Sequence, residues 1–365
     1  MSWLQAFTRH KGTIAYAPNF AFALCVKRIR EKELGGIDLS SWRVAGCGAE
    51  PIRPETLESF AEQFEKVGFD RRALLPSYGM AESSLAISFT ELGEGMKTLA
   101  VDGETLWAEN TARTVPEDDP RAVRLVSCGR RFPEHDIAVF APDDAASARP
   151  LPDGRVGELR IKGPSVMKGY WEDAERTAET FGGGWLRTGD LGFLHEGAVY
   201  ICGRSKEVVI LNGRNYYPQD IEWEASRVPG VRKGNVIAFG ARDPSGVERD
   251  RERVVVAFEV QDAQRGAEPL ELARASQPIV QAVRKAVQEG MGLVLDDVVA
   301  LGPGVLPKTS SGKLQRAKTR ELYESGELSV RRAAREQDRL GLLKEAAKSQ
   351  LSYFKLAVLG GRKKD

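Results

Sequence analysis

Cysteine is scarce and scattered. Cys25, Cys47, Cys128 and Cys202 form no CxxC pair. That argues against a zinc cluster or a disulfide framework and fits a reducing, cytoplasmic setting. Histidine is scarcer: His10, His135 and His195 show no ligand spacing. Net charge is nearly absent, with 53 Lys+Arg against 52 Asp+Glu. The chain therefore does not bind nucleic acid by bulk charge, although a local basic site for a small phosphate ligand stays open. No apolar run reaches the roughly 18 residues of a membrane span. The richest, Ile14 to Val26, is broken by Pro18 and Asn19. The opening MSWLQAFTRHKG has no basic stretch ahead of an apolar core, so it is not a signal peptide. No internal repeat is present.

What is there is an ordinary globular composition. Of 365 residues, 42% are hydrophobic and 8% aromatic, which suits about two domains and excludes a largely disordered chain. Trp3, Leu4 and Phe7 have helical spacing directly after Met1. Between residues 13 and 76, strand-like and helix-like segments alternate. TIAYA, WRVAGC and ALLPSY read as strands; NFAFALCVKRIREKEL and PETLESFAEQFEKV read as helices, the second opened by Pro54. This alternation predicts a parallel sheet with crossover helices. AESSLAIS is expected to start a helix. Residues 91–122 are polar and turn-rich, and are expected as an inserted hairpin or surface loop rather than core. VRLVSCG, DIAVFAP, VGELRIKG and AVYICG are short β runs between glycines and prolines, the pattern of a small β-barrel or sandwich. Beyond Arg204 a strand, the helix PQDIEWEAS, two further strands and a second helix predict a compact α+β unit. The Lys/Arg/Glu-rich end reads as a solvated helical tail.

Two polar turns are expected at the carboxyl ends of parallel strands: Gly46-Cys47-Gly48-Ala49-Glu50-Pro51 and Ser77-Tyr78-Gly79-Met80-Ala81-Glu82. In open α/β sheets that edge binds ligands. Glycines let backbone approach a flat ring, Tyr78 can stack on a base, and Glu82 can hold a divalent cation against phosphate. The plain alternative is two tight turns with a carboxylate stabilising a helix N-terminus. Asp190, in WLRTGDLGF, is expected in a Gly-flanked turn. It either caps its own backbone or accepts the two hydroxyls of a ribose, with Arg204 within reach of the same sugar or a phosphate. LPKTSSGKL has the composition of a phosphate loop but fails the Walker A spacing. Its Lys313 is either a surface lysine or a charge delivered by a mobile loop.

Taken in order, GAEP, YGMAE, GELRIKGPSVMKGYW, WLRTGDLG, GRSKEVVILNGRNYYPQDIE and PKTSSGKLQR resemble the adenylate-forming (AMP-binding) enzymes. The resemblance covers nearly the whole chain before about residue 330. WLQAFTRHKGTIAYAPNFAFALCVKRI and GRNYYPQDIE are similar to the fatty acyl-AMP ligase branch, as is the long gap between Glu82 and Ser127. The resemblance implies an α/β plus α+β fold. Residues 1–122 would form part of an α/β AMP-binding subdomain, with a family insertion at 91–122. Residues 123–203 would form a small β-barrel subdomain, 204–326 a mobile C-terminal α+β lid, and 327–365 a helical basic tail. It implies ATP and Mg²⁺ as cofactors, a fatty acid as substrate and an acyl carrier protein as partner. Lys313 would bridge the carboxylate and the α-phosphate. Asp190 and Arg204 would hold the ribose, and Glu82 the Mg²⁺. Gly48, Ala49, Glu50, Tyr78, Gly79 and Met80 would line the adenine pocket, and Lys206 would mark the hinge. The insertion would restrain the lid through Leu99, Val101, Leu106 and Trp107 and so disfavour CoA.

The family's upstream Ser/Thr/Gly-rich triphosphate loop is not found ahead of GAEP. The chain is therefore expected to be the C-terminal part of such a ligase, either paired with a separate N-terminal half as a split enzyme or a chain whose true start lies upstream, and to form no acyl-AMP by itself. Two other readings stand beside it: an inactive remnant that binds a nucleotide or partner, and an acyl-CoA synthetase.

Overall fold

The computed structural model describes residues 1–142, 149–211, 213–241, 252–263, 268–309 and 312–328. The basic tail expected at the C-terminus lies almost wholly outside them. Two compact units divide at Tyr217/Pro218, so the stretch 204–217 folds with the first unit. Among the described residues no helix is long and apolar enough to cross a membrane.

The first unit is built on one eleven-stranded sheet. Strands Ile14–Ala17, Val44–Cys47 and Leu74–Met80 run parallel, as the alternating pattern predicts. Helices Asn19–Arg28 and Pro54–Glu65 connect them. Trp42 anchors their core, stacked on Phe7 at 3.9 Å and edge-on to Phe60 and Phe69. Each such ring contact adds about 0.5–1.5 kcal/mol beyond area burial. At the edge, Ile14, Tyr16, Phe20 and Leu24 stay exposed.

AESSLAIS does not form a helix. Ala81–Ser83 is a single 3₁₀ turn, and Leu85–Phe89 is a strand antiparallel to Leu74–Met80. Alternating apolar residues after a tight turn fit a strand as well as a helix start, and the cross-strand partner decides. From there the sheet continues antiparallel through Ala122–Arg131, Ala198–Arg204, Trp185–His195, Gly157–Lys162 and Asp136–Phe140. The β-rich region thus extends the parallel sheet in linear order. Among the described residues no strand pairing joins its two ends.

Residues 91–122 are more than a surface loop. Thr98–Asp102 pairs with Ala122–Val126, and helix Gly103–Glu109 follows. Val101 and Leu106 are fully buried, in one cluster with Phe193, Tyr200 and Tyr217 that Leu99 and Trp107 pack against. The overall polarity of the segment hides these few inward positions. The segment also ties down the hairpin formed by Val209–Leu211 and Arg214–Tyr216. Arg214 pairs with Glu104, and Asn215 Nδ2 donates to Asn110 Oδ1 at 2.6 Å.

Asp102 organises this segment. It is fully buried, caps the helix by accepting from Thr105 N at 3.1 Å, and pairs with Arg113 and Arg121 at 2.8 and 3.0 Å. Burial opposes its charge, but the Thr105 amide and the two guanidiniums outweigh that and hold its pKa below the ordinary value. A depressed folded pKa gives stability that is present above the unfolded value and lost as pH falls through the folded one. Asp102→Ala is expected to cost about 1–2 kcal/mol at neutral pH, the loss of a buried cap. In denaturant titrations the gap between parent and variant should narrow as pH drops below 4, the ordinary carboxylate value.

The second unit has strands Val231–Ala241, Arg253–Val260 and Asp297–Leu301, the last pair parallel. Helices Pro218–Ser226, Gln277–Met291 and Arg316–Glu324 complete it. Fully buried Glu259 pairs with Arg232 at 2.9 Å and accepts from Gly304 N at 2.8 Å. Arg316 holds Glu222 at 2.7 Å and the Ala238 carbonyl at 2.9 Å. These two anchors frame the loop that carries Lys313.

Candidate nucleotide site

The Gly48–Glu50 segment leaves the carboxyl end of Val44–Cys47 beside Leu74–Met80. Ser77 Oγ donates to the Cys47 carbonyl at 3.2 Å. A Cβ on Gly48 would lie 2.8 Å from the Ser77 carbonyl oxygen, so only glycine lets the two segments touch. Ala49 takes a left-handed φ of 66°. Glu50 Oε1 accepts from Phe20 N at 2.6 Å, in the first turn of helix Asn19–Arg28. That helix-capping role joins residues 30 apart and is invisible to local pattern.

Tyr78, Gly79 and Met80 lie in the second half of a strand rather than in a turn. Tyr78 Oη donates to Asp190 Oδ2 at 2.6 Å, and Arg204 Nε to Asp190 Oδ1 at 3.0 Å. The sheet thus gathers Gly48, Tyr78, Asp190 and Arg204. Asp190 is not in a hairpin turn. It sits in an irregular stretch of strand Trp185–His195, where Arg187 faces Arg160 but Leu191 faces Glu158. Four steps on one strand match two on the other, so Thr188, Gly189 and Asp190 bulge out. Such bulges re-aim side chains. Thr188 Oγ1 accepts from Asp190 N at 3.0 Å and donates to the Leu159 carbonyl at 2.7 Å, fixing the bulge.

Asp190 is buried, and burial raises its pKa, opposed by the hydrogen bond from Tyr78 and the charge of Arg204. The Tyr78 hydroxyl is raised well above its usual value by burial and then by the Asp190 charge. Tyr78 is therefore a fixed donor to a carboxylate whose remaining acceptor capacity is available to a ligand. Arg204 is mostly exposed and so is free to share its guanidinium. The four cysteines are buried and reduced, and burial raises the Cys47 and Cys128 thiols, Cys128 to about 12. They are not nucleophiles for acyl transfer.

Glu82 follows on the 3₁₀ turn. Tyr170 Oη donates to its Oε1 at 2.8 Å, and Met167 N donates to its backbone carbonyl at 2.8 Å. Among the described residues no three or more His, Cys, Asp or Glu side chains are grouped so that they could hold a metal ion by themselves. A single partly exposed carboxylate suits Mg²⁺, which keeps several waters and relies on substrate phosphates for its other ligands. Sequence reasoning passed over Tyr170 and Thr188, although both stand in the quoted motifs.

Lys206 lies exposed in the 3₁₀ turn Ser205–Glu207 of the first unit. Lys313 belongs to the second unit. Lys313 N donates to Thr309 Oγ1 at 3.0 Å and Thr309 N to the Lys313 carbonyl at 2.8 Å, closing a tight turn. The neighbouring Lys308 donates to Asn235 Oδ1 at 2.6 Å, and burial lowers its pKa.

Residues 1–171 match the family of AMP-binding enzymes. The chain is thus similar to AMP-binding enzymes, and fatty acyl-AMP ligases stand among the proteins and solved structures it resembles. A Caulobacter vibrioides protein, provisionally described as an acyl-CoA synthetase, is 39% identical over 326 residues, 89% of this chain and 54% of that protein. The medium-chain fatty acid acyl-carrier-protein ligase JamA of Moorena producens is 36% identical over 336 residues, 89% of this chain and 54% of its own. A solved structure from work on the fatty acyl-adenylate ligases of E. coli and L. pneumophila superposes with a TM-score of 0.78 at 35% identity. It covers 89% of this chain and 55% of that one. The chain spans about half the length of the curated relatives it matches.

Proposed function

We propose that this chain binds the adenylate in a fatty acyl-AMP ligase. A fatty carboxylate attacks the α-phosphorus of ATP, a P–O bond forms, and pyrophosphate leaves. The acyl group then passes from AMP to the phosphopantetheine thiol of an acyl carrier protein. The observation that carries this reading is the Tyr78–Asp190–Arg204 triad. It is a buried carboxylate, oriented by one hydroxyl and flanked by an exposed guanidinium, at the carboxyl end of a parallel sheet. Asp190 accepts from the two ribose hydroxyls, and Arg204 contacts the same sugar. Gly48, Ala49, Glu50, Gly79 and Met80 supply the backbone surface against adenine, with Tyr78 at its edge. Glu82 holds Mg²⁺, which neutralises charge on the phosphates. Lys313 stabilises the negative charge that gathers between carboxylate and α-phosphate, an electrostatic role that needs position more than basicity. The hinge is assigned to Lys206.

A second reading, activation for CoA, is supported by the description of the Caulobacter relative. The segment 91–122 favours the carrier-protein reading, because its contacts with Arg214 and Asn215 restrain the stretch that leads to the second unit. Calorimetry with a non-hydrolysable acyl-sulfamoyl adenosine tests the proposal. Binding is expected for the adenosine analogue and not for the matching guanosine one. Equal binding of both, or of neither, would overturn it.

A further inference from the structure

The turn that carries Glu82 is strained. Ser84 and Leu85 both take left-handed φ values, 49° and 95°. For a bulky leucine this is a true outlier, and such outliers persist only where their surroundings over-determine them. The Leu85 side chain is 72% exposed, so core packing does not impose it. Its backbone is what matters. A Cβ on Gly79 would collide with the Leu85 carbonyl, and the strand register slips between Tyr78 and Gly79.

A second segment, residues 163–170, clamps this turn. Ser84 Oγ donates to the Ser165 carbonyl at 3.0 Å, and the hydroxyls of Ser83 and Ser165 lie 3.0 Å apart. Met167 and Tyr170 hold the backbone and side chain of Glu82, as described above. Behind Ser165 stands His135, buried, with Nε2 2.7 Å from Ser165 Oγ and Nδ1 2.8 Å from the Pro133 carbonyl. A carbonyl only accepts, so Nδ1 donates to Pro133 and the ring is held with Nε2 against Ser165. Ser165 Oγ also lies 3.0 Å from the Ser83 carbonyl. The hydrogen-bonded contacts run from Pro133 through His135 and Ser165 to Ser83, which directly follows Glu82 in the chain.

We infer that His135 and Ser165 are positioning residues that aim Glu82 toward the nucleotide phosphates by holding the strained turn closed. The inference rests on the reading of Glu82 as the Mg²⁺ and phosphate-side carboxylate. Its test has a metal-free arm. In the full chain, Ser165→Ala should speed hydrogen exchange in peptides covering Glu82–Leu85 by tenfold or more, with exchange in strand Val44–Cys47 unchanged. Adding Leu85→Gly should restore slow exchange, because glycine adopts the left-handed conformation without strain and needs no clamp. In the binding arm, the Mg²⁺-dependent gain in ATP affinity should fall about tenfold in Ser165→Ala and recover in the double variant. AMP affinity without Mg²⁺ should stay within twofold. His135→Gln, which keeps one acceptor and one donor, should fall between parent and Ser165→Ala.

Unchanged exchange in Ser165→Ala overturns the clamp. An equal loss of Mg²⁺-free AMP binding also overturns it, since the role would then be merely structural. If the parent itself gains no ATP affinity from Mg²⁺, the reading of Glu82 fails. Exchange and its rescue by Leu85→Gly then decide the clamp alone.

Discussion

Asp190→Asn is expected to lower affinity for an acyl-adenylate analogue by about 10–150-fold, the worth of one hydrogen bond to a charged group, while leaving the fold at least as stable. On the proposed reading, the lost interaction is a charged acceptor facing a ribose hydroxyl. Hydrogen bonds to charged groups contribute about 1.5–3 kcal/mol each, and about 1.4 kcal/mol is tenfold in affinity. Stability runs the other way. The folded pKa of Asp190 is raised, chiefly by burial. The favourable contribution is therefore present below the unfolded carboxylate pKa and is lost as pH rises through the folded one. At neutral pH the charged form is a cost that the exposed Arg204 offsets only in part. Asparagine keeps the shape and removes the charge. Thermal melts across pH 4–8 should show the parent losing ground to the variant as pH rises. A variant that melts well below the parent at pH 7 would mean that the carboxylate serves the fold rather than a ligand.

Lys313→Ala carries the other large effect. In an assembly that contains the triphosphate-binding segment, acyl-adenylate formation should slow by about 10²–10³, the usual cost of removing one preorganised charge donor. ATP affinity should be spared, because the interaction strengthens only in the transition state. Transfer of a preformed acyl-adenylate to carrier protein should be nearly unaffected. Equal loss in both half-reactions would instead indicate damage to the second unit. Lys308→Ala provides the contrast. Its ammonium is engaged by Asn235, so it should lower the stability of the second unit in both half-reactions alike.

The chemistry was legible in the sequence to the extent that it rests on short motifs. Tyr78, Asp190 and Arg204 each stand in a recognisable string, and the sheet brings these three together; their ligand role is the proposal made above. The parallel strands and helix Pro54–Glu65 followed from alternation and from proline at the first turn. What stayed hidden depends on partners distant in the chain. The strand Leu85–Phe89 and the bulge at Asp190 are defined by register against neighbours, and local periodicity carries no register. The core of segment 91–122 rests on a few inward residues in a polar stretch, where composition averages them away. His135, with no ligand spacing, appeared only as a histidine without a role. Its partner Ser165 lies 30 residues on.

The continuity of the large sheet has a practical meaning for dissecting the protein. A cut between 122 and 123, natural from composition, falls inside strand Ala122–Arg131, which pairs with Thr98–Asp102, with Leu85–Phe89 and with Ala198–Arg204. Neither fragment would inherit a finished edge. Each would expose a ladder of unpaired backbone groups, the template from which aggregation starts. Fragments for expression or crystallisation are therefore better ended near Tyr217, where the first compact unit closes, than between residues 122 and 123.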